Sequence, residues 1–160
     1  MRDAQTQAWL DQEDARIAAY IRKFGWAIEY VFGDRDRRRP ALAYTVGLFG
    51  MGHPELMLLG LPQALTGKVL NDVGQRIRAG ADLIVGQLLT FDWWPHQVLV
   101  EAVPNPGEIV FSVNRHYQRP PEASAPALQL TYDDAFGCFP WDAGFRNERW
   151  RQPRPGDFRA

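Results

Sequence analysis

Trp26-Ala27-Ile28-Glu29-Tyr30-Val31-Phe32, Ala41-Leu42-Ala43-Tyr44-Thr45-Val46-Gly47-Leu48 and Glu55-Leu56-Met57-Leu58-Leu59-Gly60-Leu61 are three strand-like runs with no helix between them. In the first, Trp26, Ile28, Tyr30 and Phe32 alternate with Ala27, Glu29 and Val31, the period-two pattern of a strand. A polar loop, Gly33 to Pro40, leads to the second run, and the turn Gly50-Met51-Gly52 leads to the third. The third run is apolar on both faces, which predicts a central position in its sheet. Pro62 then suits the first turn of a helix. Leu65, Val69, Leu70, Val73 and Ile77 supply that helix with an apolar face as far as Gly80.

Upstream, Ile17, Tyr20, Ile21 and Phe24 fall at helical spacing, with Arg16, Arg22 and Lys23 off the stripe. Gly25 stops this first helix. Downstream, Leu83, Val85 and Gln87 alternate with Ile84 and Gly86 and predict a short strand. Gln97 to Val103 predicts a longer one. Ile109, Val110, Val113 and Tyr117 fit a helix that ends at Pro120-Pro121. Ala127 to Tyr132 reads as the last strand, and an aromatic loop follows it. A helix, three strands and a helix do not make a βαβ alternation. The order predicts an α+β domain with a single mixed, mostly antiparallel sheet of five or six strands and about three helices. The expected division is a globular domain over residues 1–145 and an extended or disordered tail over 146–160.

The chain has 160 residues, 46% of them hydrophobic and 23% charged, with six Trp and nine Phe. That length supports one aromatic-rich core without metal or disulfide staples. A lone cysteine, Cys138, allows no internal disulfide and fits a reducing compartment. The first residues lack a basic start followed by an apolar run, and no apolar stretch reaches membrane-spanning length. A cytoplasmic protein without a membrane partner is expected. Eighteen basic and nineteen acidic residues leave a net charge of -1. With no overall basic excess, no nucleic-acid partner is expected. Arg35, Arg37, Arg38 and Arg39 form the one basic cluster, read as a solvated loop; its sharper reading is a phosphate-binding patch.

No phosphate loop, nucleophile elbow, paired cysteine or zinc-binding helix motif is present. His53, His96 and His116 are isolated, so neither a metal nor a cofactor is expected. His53-Pro54-Glu55 stands where a turn feeds the third strand. His53 could act as an acid or base with Glu55 or Asp134 as its carboxylate, or it could simply hold a loop carbonyl. Tyr44 and Thr45 lie beside Gly47, where a backbone or ligand could approach closely, though ordinary cross-strand packing explains them too. Gln129 interrupts an apolar strand, either to read a ligand or because it faces water. Asp134 opens a turn that runs to Phe139 and Trp141, both read as pinned to the core, and Cys138 is read as a packing residue.

Ala43-Tyr44-Thr45-Val46-Gly47-Leu48, Gly52-His53-Pro54-Glu55-Leu56, Gly60-Leu61-Pro62, Ala127-Leu128-Gln129-Leu130, and Asp134 with Gly137 to Trp141 together resemble a bacterial family known as domain of unknown function 4262. The likeness runs from about Gly25 to Asp142, with residues 81–106 contributing little. It implies a small, stand-alone cytoplasmic bacterial domain and carries no particular reaction with it. The first functional expectation is a binding or accessory module. Tyr44, Thr45, His53, Gln129 and Trp141 would line a pocket for a small molecule or peptide. The alternatives are a small enzyme using His53, Glu55 and Asp134, and an oligomeric or partner-binding protein, for which a homodimer is one form.

Overall fold

Strands β2 (Leu42–Val46) and β3 (Glu55–Leu59) are buried along their whole length, and β3 stands at the centre of the sheet. The computed structural model describes residues 3–160. Helix α1 (Ala4–Phe24) comes first, its N-cap Asp3 accepting the Thr6 N–H at 2.7 Å. Strand β1 (Ala27–Val31), then β2 and β3, form an antiparallel meander. Helix α2 (Gln63–Arg78) follows, then the two-residue strand β4 (Leu88–Leu89) and β5 (Val98–Ala102). Helix α3 (Phe111–His116) and β6 (Ala127–Tyr132) complete the regular elements. The sheet order is β1-β2-β3-β6-β5-β4, and β3 with β6 is its one parallel pair. The domain is therefore α+β, with three helices and one mixed six-stranded sheet among the described residues.

The alternation read from sequence decides which face each residue enters. Trp26, Ala43, Leu56, Leu58, Leu128 and Leu130 pack with Val69, Leu70 and Val73 of α2. Ala27, Leu42, Tyr44, Met57 and Leu59 pack on the opposite side with Ile17 of α1, Val113 of α3 and Val110 just before it. The double-sided burial predicted for the third strand follows from this arrangement, since helices cover both faces.

One strand is misplaced by the sequence pattern. Residues 83–87 form no strand, although Gly86 and Gln87 share backbone hydrogen bonds with Val100; the regular pairing falls on Leu88–Leu89. The alternation there comes from Leu83 turning inward while Ile84 and Val85 stay exposed. Exposed apolar residues on a loop mimic a strand's period.

Residues 146–160, expected to be extended or disordered, hold a single 3-10 turn at Arg149–Arg151 and otherwise irregular backbone. The segment is docked on the sheet. Buried Gln152 accepts the Tyr132 N–H at 2.8 Å and donates to the Tyr132 carbonyl at 3.0 Å. Its carboxamide thus pairs with a strand residue as a neighbouring strand would.

Candidate functional site

Glu55 has the most strongly organised environment of the nominated residues. It is fully buried at the start of β3. Its Oε1 accepts the Thr45 hydroxyl and the Leu48 N–H, and its Oε2 accepts the N–H groups of Gly47 and Phe49, at 2.8–3.2 Å. Burial pushes the carboxyl up to about 7, against four hydrogen bonds that favour the ionised form. With every lone-pair direction engaged by the chain, Glu55 ties down the loop from β2 to β3.

His53 is also buried, and both ring nitrogens are committed. Nδ1 donates to the Pro54 carbonyl at 2.8 Å, and Nε2 accepts the Leu83 N–H at 3.1 Å. That pairing selects the Nδ1–H tautomer. His53 makes no hydrogen bond to Glu55 or Asp134, so the acid–base constellation considered from sequence is not assembled. Asp134 serves its own turn. Burial opposes its charge, yet the N–H groups of Arg146, Cys138 and Phe136 hold its carboxyl below the usual range.

The other nominated residues lie apart. Tyr44 is buried beneath α3, where its hydroxyl accepts the Ser112 N–H. Thr45 belongs to the Glu55 cradle. Gln129 does not face water: it is 1% exposed, covered by the C-terminal segment, and its Nε2 donates to the Pro153 carbonyl at 2.9 Å. Trp141 is not pinned in the core. It is 46% exposed, stacked on Phe139 with Arg154 over its other side. Tyr44, Thr45, His53, Gln129 and Trp141 therefore share no common hollow.

A concave site lies instead at the β1 edge, between α1 and α2. It encloses about 550 Å³, within the usual size of a ligand pocket. Gly25 reverses the chain there in a left-handed conformation, with φ 99°. Trp26 can then lie flat on α2 because Gly74 has no side chain: a Cβ there would stand 2.7 Å from Trp26 Cζ2. Trp26 Nε1 donates to Asn71 Oδ1 at 3.0 Å, and the Arg78 guanidinium lies 4.4 Å from the indole ring. Arg78 also donates to the Phe24 carbonyl, joining the last turns of α1 and α2.

Tyr20 and Phe24, their ring centroids 5.6 Å apart, make the second wall. Three cations surround the space: Arg16, Lys23 and Arg78. Glu13 and Glu29 neutralise Arg16, whereas Lys23 and Arg78 have no acidic partner among the described residues. No aspartate, glutamate or histidine lines the cleft. Sequence reasoning missed this site because its polar residues look like solvated helix faces. Nothing in their spacing says that α1 and α2 converge on one strand edge.

Among the described residues, no group of three or more metal-ligating side chains occurs, and no helix is long and apolar enough to cross a membrane. The fold and cleft together describe an α+β domain with a cationic, aromatic-walled recess at its sheet edge. The chain belongs to the family described as Domain of unknown function (DUF4262), whose model matches residues 20–146. No curated protein and no solved structure matches it.

Proposed function

We propose that this protein binds a small anionic molecule with a planar aromatic part in the cleft between α1, β1 and α2. The observation that carries the reading is the lining. Two cations without acidic partners stand beside Trp26, Tyr20 and Phe24 in a recess of ligand size. Guanidinium and ammonium groups would hold the anion, and the exposed rings of Tyr20 and Phe24 would stack on the planar part, with buried Trp26 backing Arg78. Gln75 offers a carboxamide that makes no hydrogen bond to any described residue, leaving it available to orient the ligand. The absence of a carboxylate or imidazole from the lining favours binding over acid–base chemistry at this place.

The test is a titration with 1-naphthoate and benzoate, followed by ligand-detected NMR and intrinsic Trp fluorescence. Saturable binding that weakens at least tenfold in Lys23→Glu is expected. If neither carboxylate binds at millimolar concentration, or if Lys23→Glu binds as well as the parent, the reading fails.

A further inference from the structure

The net charge of -1 conceals a strong segregation of charge. The loop Gly33–Pro40 carries four arginines against two aspartates. Residues 146–160 carry five arginines against one glutamate and one aspartate. These segments are far apart in the chain, and the fold places them side by side at one end of the sheet. Their side chains together carry a net +5, so the remainder of the chain is acidic.

The two segments border a groove of three adjoining recesses that share wall residues, with Asp34, Glu148 and Asp157 in the lining beside the arginines. One part, of about 280 Å³, is walled by Arg35, Arg39, Tyr30, Trp150 and Arg151. Arg151 continues into a second part of about 410 Å³, which reaches Arg146 and the end of β6 at Tyr132. Arg39 and Trp150 continue into a third part, which carries Arg38 and Arg159. The floor of the first two parts is Gly60-Leu61-Pro62, just beyond β3. Gly60 is required there: a Cβ would meet the Arg151 carbonyl oxygen at 2.3 Å. The Gln152 pairing with Tyr132 fixes the same segment, so Trp150 and Arg151 are presented from a docked backbone.

Not every arginine is free to bind. Arg37, Arg151, Arg154 and Arg159 pair with Asp34, Glu148, Glu101 and Glu108. Arg35, Arg38 and Arg39 are exposed and make no direct ion pair among the described residues, although Arg35 stands close enough to Glu148 to lower its carboxyl. Guanidinium groups in this state recognise phosphate oxygens in a fork geometry that lysine cannot supply.

We infer that this groove binds single-stranded nucleic acid, its arginines tracking the backbone phosphates and Trp150 stacking on a base. A run of cations along an open groove, with an aromatic ring in the wall, is the general form of such sites. Exposed arginines spread over adjoining open recesses, with an aromatic ring between them, suit a chain of phosphates with bases better than one phosphate group. The whole-chain charge balance does not bear on the question, because the partner meets only this end of the molecule.

Fluorescence anisotropy with labelled twelve-nucleotide dT and U oligomers, at 50 to 300 mM salt, tests the inference. The expected result is micromolar or tighter binding at the lowest salt. The slope of log affinity against log salt should be about -2 to -3, at roughly -0.7 per neutralised phosphate. The Arg35→Gln/Arg38→Gln/Arg39→Gln variant should bind at least tenfold more weakly with an unchanged circular dichroism melt. Trp150→Ala should weaken binding without changing the salt slope. Lys23→Glu, in the other cleft, should bind like the parent. No binding at 50 mM salt would overturn the inference, as would an unaffected triple variant. So would full competition by an equal phosphate concentration of inorganic phosphate, or binding only to phosphatidylserine vesicles.

Discussion

The Thr45 hydroxyl donates to Glu55 Oε1 at 2.8 Å while accepting the Leu56 N–H at 2.9 Å. One short side chain thereby joins the end of β2, the start of β3 and the buried carboxylate between them. Glu55 in turn accepts the N–H groups of Gly47, Leu48 and Phe49. Without that carboxylate, these donors would lose their partners in a site closed to water.

Stability should depend on pH through Glu55. Its carboxyl titrates near 7 in the folded chain and near 4.5 in the unfolded chain. The folded state therefore holds more protons between those values, and the group's contribution declines as pH rises through that interval. The contribution is full below 4.5, level above about 7, and spans on the order of 3 kcal/mol. Urea unfolding at pH 4.5, 5.5, 6.5 and 7.5 measures it. Glu55→Gln should remove this slope and cost about 1–3 kcal/mol, because an amide N–H would face the loop's own donors. An unchanged slope in the variant would assign the pH dependence elsewhere.

His53 should act on stability through the loop at Leu83. His53→Ala removes the acceptor of the Leu83 N–H and the donor to Pro54. A loss of about 1–3 kcal/mol is expected, with faster amide exchange at Leu83. Exchange at Leu83 equal to that of the parent would contradict the observed pairing.

Gly74→Ala should displace Trp26. The added methyl would overlap the indole, and overpacking of this kind costs about 1–3 kcal/mol. Up to about 1 kcal/mol returns through better helix propensity. A net loss near 1 kcal/mol and a shifted Trp emission spectrum are expected. A more stable variant with unchanged emission would mean that the ring has room to spare.

Arg154 should hold the C-terminal segment to β5. Its guanidinium meets both Glu101 oxygens, at 2.7 and 2.6 Å, and Thr131 donates to the same carboxylate. Arg154→Ala would leave Glu101 mostly covered, with one remaining partner. The pair is partly solvated, so a loss of about 1–2 kcal/mol is expected, below that of a fully buried pair. Amide exchange at Gln152 should quicken with it. Protection there matching the parent would show that Gln152 and Pro153 suffice to dock the segment.

Local pattern made the central elements legible. Alternation in Trp26 to Phe32 and the apolar run from Glu55 to Leu61 report directly on burial, which has a fixed period in a strand. The stretch 83–87 was illegible for the same reason: an exposed apolar loop copies that period. His53, Glu55 and Thr45 stand out in the sequence as polar interruptions. Spacing alone could not show that Glu55 serves three backbone N–H groups while His53 turns to Leu83.

From its order of residues alone, this chain determined an α+β domain, a central β3 and membership of a family, because propensity and periodicity act between near neighbours. Only the folded chain decided where charge and aromatic rings collect. Lys23 and Arg78 line one cleft, and Arg39 and Trp150 line another, across sequence distances that no local rule spans. Burial of apolar surface brings those segments together, and the polar groups are carried along with it.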